Sequence, residues 1–176
     1  FKRKNIAYNV VKENDKTGKL IRLLANDKGT ALVYVRNRKK TRELSEILTN
    51  NKINSTYYHA GLDAKTREER QKRWTQGKIR VMVATNAFGM GIDKADVRHV
   101  VHYELPDCIE SYFQEAGRVG RDLKPATASL LVNNTDIANA KKKLKGAYPE
   151  LDKIRVIYNA LSNYFQIPEG SGKDMG

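Results

Sequence analysis

Cysteine is nearly absent: 176 residues hold one, Cys108, which excludes an intrachain disulfide framework and a cysteine-built zinc cage within them. No apolar run approaches the roughly 18 residues needed to cross a bilayer, and the opening FKRKN lacks the hydrophobic segment of a secretory signal. These absences predict an intracellular, cytoplasmic protein with no membrane partner, nucleoid-associated if bacterial. Acidic residues are outnumbered, 20 Asp and Glu against 33 Lys and Arg, and the formal charge of +13 suits a polyanion: nucleic acid, nucleotide phosphates or an anionic membrane surface. No internal repeat or low-complexity tract is present, no initiating methionine opens the chain, and the final EGSGKDMG reads as a cut linker. The chain is therefore expected to be a piece of something larger.

What is present alternates. Ile6–Val11, Thr30–Val35, Ser55–His59, Ile79–Ala84, Val97–Tyr103 and Ala126–Val132 read as strands, and TALVYV is an unbroken apolar run, as in a strand buried on both faces. Between them, Leu20, Leu23 and Leu24, then Leu44, Ile47 and Leu48, recur at helical spacing. Thr66 with Glu69 predicts a capping box for a charged helix running to Trp74, and Asp107 with Glu110 predicts the cap of the next. The alternation predicts an α/β domain, a mostly parallel sheet flanked by helices, over residues 1–146. A C-terminal helical extension, 147–176, carries Ile154, Ile157, Leu161 and Phe165 as a stripe leading toward a missing neighbour.

In open α/β sheets, ligands bind beyond the carboxyl ends of the strands. Arg36, Asn37 and Arg38, then His59, Ala60 and Gly61, then Thr85 to Lys94 are expected along that edge. In the last stretch, TNAFGMGIDK, Gly89 and Gly91 allow backbone amides to approach a phosphate or ribose that a Cβ would obstruct. His99 and His102, three apart in a strand, fall on opposite faces and read as structural.

QEAGRVGRD, Gln114 to Asp122, places two arginines beside two glycines that each cost a helix about 1 kcal/mol. On a helical wheel Ile109, Tyr112, Phe113 and Ala116 form the expected core stripe, with Gln114, Arg118 and Arg121 together opposite, provided the helix continues through Gly117. Gly120 falls on the packing side. The plainer alternative is a solvated basic helix end with Asp122 as partner.

Taken in order, YVRNR (Tyr34 to Arg38), YHAGL (Tyr58 to Leu62), VMVATNAFGMGIDKADVRHVVHY (Val81 to Tyr103) and SYFQEAGRVGRD (Ser111 to Asp122) resemble the motifs of the second RecA-like lobe of RecQ-family DNA helicases of superfamily 2. The resemblance covers Phe1 to about Val132 and implies a RecA-like three-layer domain within a 3′ to 5′ ATP-dependent DNA-unwinding motor. It implies that Arg121 is the arginine finger, with Arg118 beside it, both stabilising the γ-phosphate of ATP across an interlobe cleft. Gln114 orders that cluster or couples it to DNA. By the same resemblance Asp93, with Gly91, meets the nucleotide ribose, and Arg36, Asn37, Arg38, His59, Thr85, Asn86 and Lys94 face the DNA backbone. For several of these the residues leave a structural alternative open: a pair with Glu43 for Arg38, a turn bond for Thr85, a satisfied histidine for His59, a turn or cap for Asp93.

Two further absences acquire meaning here. No GxxxxGKS or GxxxxGKT phosphate loop and no DExH box occurs, so the groups holding ATP and Mg²⁺ are expected on a first lobe, and this chain alone is expected to be inactive as an ATPase. Val156 stands about where many RecQ relatives begin a four-cysteine zinc module, so no zinc is expected within these residues. GMGIDK lacks the third glycine of a dinucleotide fingerprint, which disfavours a dehydrogenase or methyltransferase. A nucleic-acid-binding module without catalysis and an RNA-helicase lobe stay open; the KKKLK run, Lys141 to Lys145, is read as an exposed helix face.

Overall fold

The computed structural model describes residues 3–88 and 94–166. Among the described residues six strands and six helices follow one another in the order β1 (Ile6–Lys12), α1 (Lys16–Asn26), β2 (Thr30–Tyr34), α2 (Arg38–Asn50), β3 (Ser55–Tyr58), α3 (Ala64–Thr75), β4 (Val81–Ala84), β5 (Val97–His102), α4 (Ile109–Ala116), β6 (Ala126–Val132), α5 (Asn134–Ala147) and α6 (Leu151–Tyr164). They fall into two compact units, one ending at Ile137 and one beginning at Ala138.

In the first unit the strands form one sheet in the order β1-β6-β5-β2-β4-β3, and every pairing is parallel. β2 lies between β5 and β4, which explains its uninterrupted apolar sequence. Leu32 and Tyr34 enter a core with Trp74, Met82, Phe88, Val100 and Ala116, while Ala31, Val33 and Val35 enter another with Leu20, Leu24, Leu44 and Leu48. Successive strand residues point to opposite faces, so α3 and α4 cover one side and α1 and α2 the other. The result is the three-layer α/β domain the alternation predicts. Fully buried Trp74 donates its indole N–H to Ala31 O at 3.3 Å, supplying the partner that a buried indole requires.

Helix starts are set by short acceptors. Asp15 receives the Gly18 amide at 2.8 Å, Asn37 receives the Lys39 amide at 2.8 Å, and Asp63 receives the Thr66 amide at 2.8 Å. The α3 cap is therefore Asp63 rather than the Thr66–Glu69 box, and α4 has Cys108 at its N-cap with no side-chain cap bond, Asp107 lying outside that position.

α4 departs from its predicted phase. It ends at Ala116, with Gly117 as its C-cap, so no continuous helix holds Gln114, Arg118 and Arg121 in register. The expected core stripe holds only in part: Ala116 is buried and Tyr112 packs against the core, but Ile109 and Phe113 are 60% and 57% exposed, whereas Glu115 is 5% exposed. Charge overrides apolar phase here, because Arg36 and His102 draw Glu115 inward. Phe113 instead stands at the surface, and both it and the partly buried Tyr112 lie against Tyr8, ring centroids 6.3 and 6.4 Å away.

The second unit carries the C-terminal part of α5 and all of α6. Lys141, Lys142, Lys143 and Lys145 are exposed, as are Ile154, Ile157 and Leu161 on α6.

Candidate functional site

The arginine-bearing segment is a pinned turn. After Gly117 the chain tightens through Arg118 N–H to Glu115 O at 3.3 Å and Val119 N–H to Ala116 O at 3.2 Å. Gly120 then donates to Val97 O at 2.8 Å and Asp122 to Ala95 O at 3.2 Å, which anchors the turn beside the start of β5. Gly120 has φ +57, and a Cβ there would lie 2.7 Å from Asn5 Nδ2 and 2.8 Å from Ala126 Cβ. Only glycine satisfies both the left-handed backbone and the close approach.

Asp122 is not an ion partner for a solvated helix end. Its Oδ1 accepts from Arg98 Nη2 at 2.5 Å, and that bond, ahead of the Lys124 amide, pulls its carboxyl below the ordinary value. Arg118 reaches the Tyr34 hydroxyl, which itself donates to Phe88 O at 3.1 Å. Burial pushes the Tyr34 phenol up, opposed by the charge of Arg118 and its hydrogen bond. Arg121 and Gln114 are exposed.

Beneath this turn lies a network invisible in the motif pattern. Arg36, just past β2, forks onto Glu115 with Nη1–Oε1 3.1 Å and Nη2–Oε2 3.0 Å, and its Nε donates to Leu105 O at 3.2 Å. Nε2 of fully buried His102 sits 2.9 Å from Glu115 Oε2, a hydrogen bond in the tautomer that carries its proton on Nε2. Burial pushes the Glu115 carboxyl up, but the bonds from His102 and Arg36 outweigh it and hold the group below its ordinary value. Arg36 is thus engaged with α4 rather than turned to the strand-end edge.

Along that edge three expected residues converge. A Cβ on Gly61 would meet Arg38 Nη1 at 2.9 Å and His59 Nδ1 at 3.3 Å, so both side chains crowd this glycine at the end of β3. His59 stacks on Tyr57 with ring centroids 5.8 Å apart, and the Arg70 guanidinium lies 3.9 Å from the centroid of the same Tyr57 ring. Burial, then the charges of Arg38 and Arg70, lowers the His59 pKa. Glu43 pairs with Lys39 and Lys40 at 3.8 and 3.5 Å, not with Arg38. Asn37 uses its Oδ1 to cap α2, leaving its NH₂ as a donor.

Thr85 is buried, its amide bonded to Tyr58 O at 3.2 Å, and Asn86 beside it is exposed. Lys94 is drawn inward: its Nζ donates to Thr75 O at 3.0 Å and meets Asp96 Oδ1 at 2.9 Å. Gly91 and Asp93 lie outside the described residues. Among the described residues no three His, Cys, Asp or Glu side chains gather as a metal-binding group, and no helix is long and apolar enough to cross a membrane.

A family model for the helicase conserved C-terminal domain matches residues 15–122. The chain belongs to that family. It is 42% identical over 139 residues to the ATP-dependent DNA helicase RecQ of Pasteurella multocida, covering 78% of this chain and 22% of that one. To RecQ of Bacillus subtilis it is 41% identical over 138 residues, covering 78% and 23%. These relatives support the RecQ-type resemblance, and the chain spans less than a quarter of their length. Among solved structures, the E. coli DEAD-box protein SrmB bound to regulator of ribonuclease activity A matches with TM-score 0.69 and 30% identity, over 85% of this chain and 88% of that one. The RecA-like architecture of this helicase C-terminal domain is thereby established.

Glu115, Arg3 and Asn5 were not singled out from sequence. Arg3 Nη1 donates to Gly117 O at 3.0 Å and Arg3 Nη2 to Gly120 O. Asn5 Nδ2 reaches Gly120 O at 2.7 Å and Lys124 O at 3.0 Å. Arg3 and Asn5 lie more than a hundred positions from these carbonyls and Arg36 lies 79 from Glu115, and no local pattern links residues so far apart.

Proposed function

We propose that this chain is the second motor lobe of a RecQ-like 3′ to 5′ ATP-dependent DNA helicase, working against a first RecA-like lobe of the same protein. The observation that carries the reading is the pinned turn 117–122, which holds Arg118 and Arg121 on one short, hydrogen-bonded segment. Phosphoryl transfer gains chiefly from positioned positive charge, and an arginine finger is worth about 10³ to 10⁵ in rate. Arg121 is the finger; Arg118, tethered to Tyr34, stands beside it, and exposed Gln114 lies on the helix leading into them. Two planar guanidinium forks fit a phosphate's oxygens. ATP, bound with Mg²⁺ mainly by the first lobe, supplies the transferable phosphoryl group, and Asp93 with Gly91 contacts its ribose.

DNA, single-stranded or partly duplex, runs along the strand-end edge, where Arg38, His59, Asn37 and Asn86 donate to phosphates without reading bases. Thr85 shapes this edge from within and Arg36 supports it through α4, whereas Lys94, bonded to Thr75 and Asp96 ahead of β5, is held at the other end of the strands. Alone, the lobe lacks the means to hydrolyse ATP.

The test is DNA-stimulated ATP hydrolysis by the protein carrying both lobes, with Arg121→Ala, alongside DNA binding by the same variant. Hydrolysis lower by about 10³ or more with DNA affinity retained is expected. Normal hydrolysis would sink the finger role. Competition between DNA and RNA strands checks the substrate, and RNA outcompeting DNA would move the lobe to an RNA motor.

A further inference from the structure

We infer that Arg3 and Asn5, on the segment entering β1, are positioning residues for the arginine turn, setting the two peptide planes from which Arg118 and Arg121 project. This rests on the proposed role of those arginines and deepens it. Arg3 donates one fork nitrogen to Gly117 O at 3.0 Å and the other to Gly120 O. Those carbonyls belong to the 117–118 and 120–121 peptide units, the units immediately preceding each arginine. Because a peptide unit is planar, fixing a carbonyl direction fixes the N–H opposite it, and only the soft φ of the next residue remains. One guanidinium therefore orients the backbone entry to both arginines at once.

Asn5 completes the grip. Its Nδ2 binds Gly120 O at 2.7 Å and Lys124 O at 3.0 Å, while its backbone O accepts the Ala126 amide at 2.9 Å. The turn is thus bonded to the entering segment before β6 begins. Gly117 is the C-cap of α4, where carbonyls lack helical partners and a cation is favoured, so an arginine is matched to this place electrostatically as well as geometrically. Lysine would keep the charge but offers no rigid fork for two carbonyls.

The consequence is mechanical. A displacement of the segment leading into β1 is transmitted through Arg3 to the turn, so movement of the chain entering the lobe and placement of Arg118 and Arg121 are coupled. Misplacing a catalytic group by about 1 Å costs on the order of 10² in rate.

The test uses the protein carrying both lobes. Arg3→Lys is expected to lower kcat for DNA-stimulated ATP hydrolysis 10- to 100-fold, on the order of that misplacement penalty, with KM for ATP and DNA affinity within about threefold. Amide hydrogen exchange at residues 117–124 should speed up in the same variant. Asn5→Ser, a milder change, should shift both readouts in the same direction by less, and serves if Arg3→Lys does not fold. Ile6→Val, which leaves every one of these hydrogen bonds in place, controls for simple destabilisation. In an Arg121→Ala background the Arg3→Lys effect on kcat should largely vanish. Unchanged kcat and exchange in folded Arg3→Lys, or an equal fall in kcat with Ile6→Val, overturns the inference while leaving the finger role standing. Normal hydrolysis by Arg121→Ala instead removes the finger role itself.

Discussion

Replacing Arg36 with alanine strands a charge. Glu115 would keep its place on the inner face of α4, its side chain 6% exposed, with the hydrogen bond to His102 at 2.9 Å remaining and the two guanidinium bonds gone. Removing one member of a buried ion pair costs about 3–5 kcal/mol, because the other must stay desolvated and uncompensated. Against a domain stability of about 5–15 kcal/mol this is a large fraction, and at about 2–4 °C per kcal/mol it lowers Tm by roughly 6–20 °C. The pair is asymmetric: the Arg36 side chain is 20% exposed and retains its bond to Leu105 O, so Glu115→Gln should cost clearly less than Arg36→Ala. The pH dependence carries the sign. Glu115 titrates below its ordinary 4.5 in the fold, so its contribution is fully present above that value and is lost as pH falls through the lowered pKa. Without Arg36, only His102 still opposes the upward push of burial, so the carboxyl is held down less. The stability gap between parent and Arg36→Ala should therefore narrow as pH drops below 4.5. Urea denaturation at neutral pH and near pH 4 measures both. A gap below about 1 kcal/mol at neutral pH, the scale of an exposed pair, or one unchanged in acid, refutes the argument.

Gly120→Ala should destabilise more than Gly77→Ala: both have positive φ, which costs about 1–2 kcal/mol for a residue with a Cβ, but only Gly120 faces atoms within 3 Å. Urea midpoints of the two variants decide this, and equal losses would remove the packing argument. His59 should titrate below 6.5 by NMR, and Arg38→Ala should move its midpoint upward, since Arg38 opposes protonation. An unmoved midpoint would separate Arg38 from His59. Asp63→Ala should cost about 1 kcal/mol through loss of the α3 cap, readable as a Tm shift, whereas Thr66→Ala should cost less because Thr66 contributes its backbone amide to this cap.

The order of elements and the parallel sheet were legible in the sequence because both depend on local periodicity. TALVYV could be buried on two faces only as a central strand, and β2 is one. Motif resemblance likewise located the arginine segment and the strand-end loops. The details of α4 were not legible. A wheel assigns faces by hydrophobicity alone, and it missed that Glu115 would be buried by partners just past β2 and on β5 while Ile109 and Phe113 stayed at the surface. The assumption that the helix continues past Gly117 failed for a related reason: the turn is set by Val97 and Ala95 carbonyls and by Arg3 and Asn5, all distant in sequence. Sequence alone determined which residues carry charge, which glycines interrupt, and where strands and helices alternate. Tertiary structure decided which of those charges are committed internally, as Arg36, Lys94 and Asp122 are, and which stand exposed, as Arg121 does, because an ion pair forms by proximity in space and leaves no periodic trace along the chain.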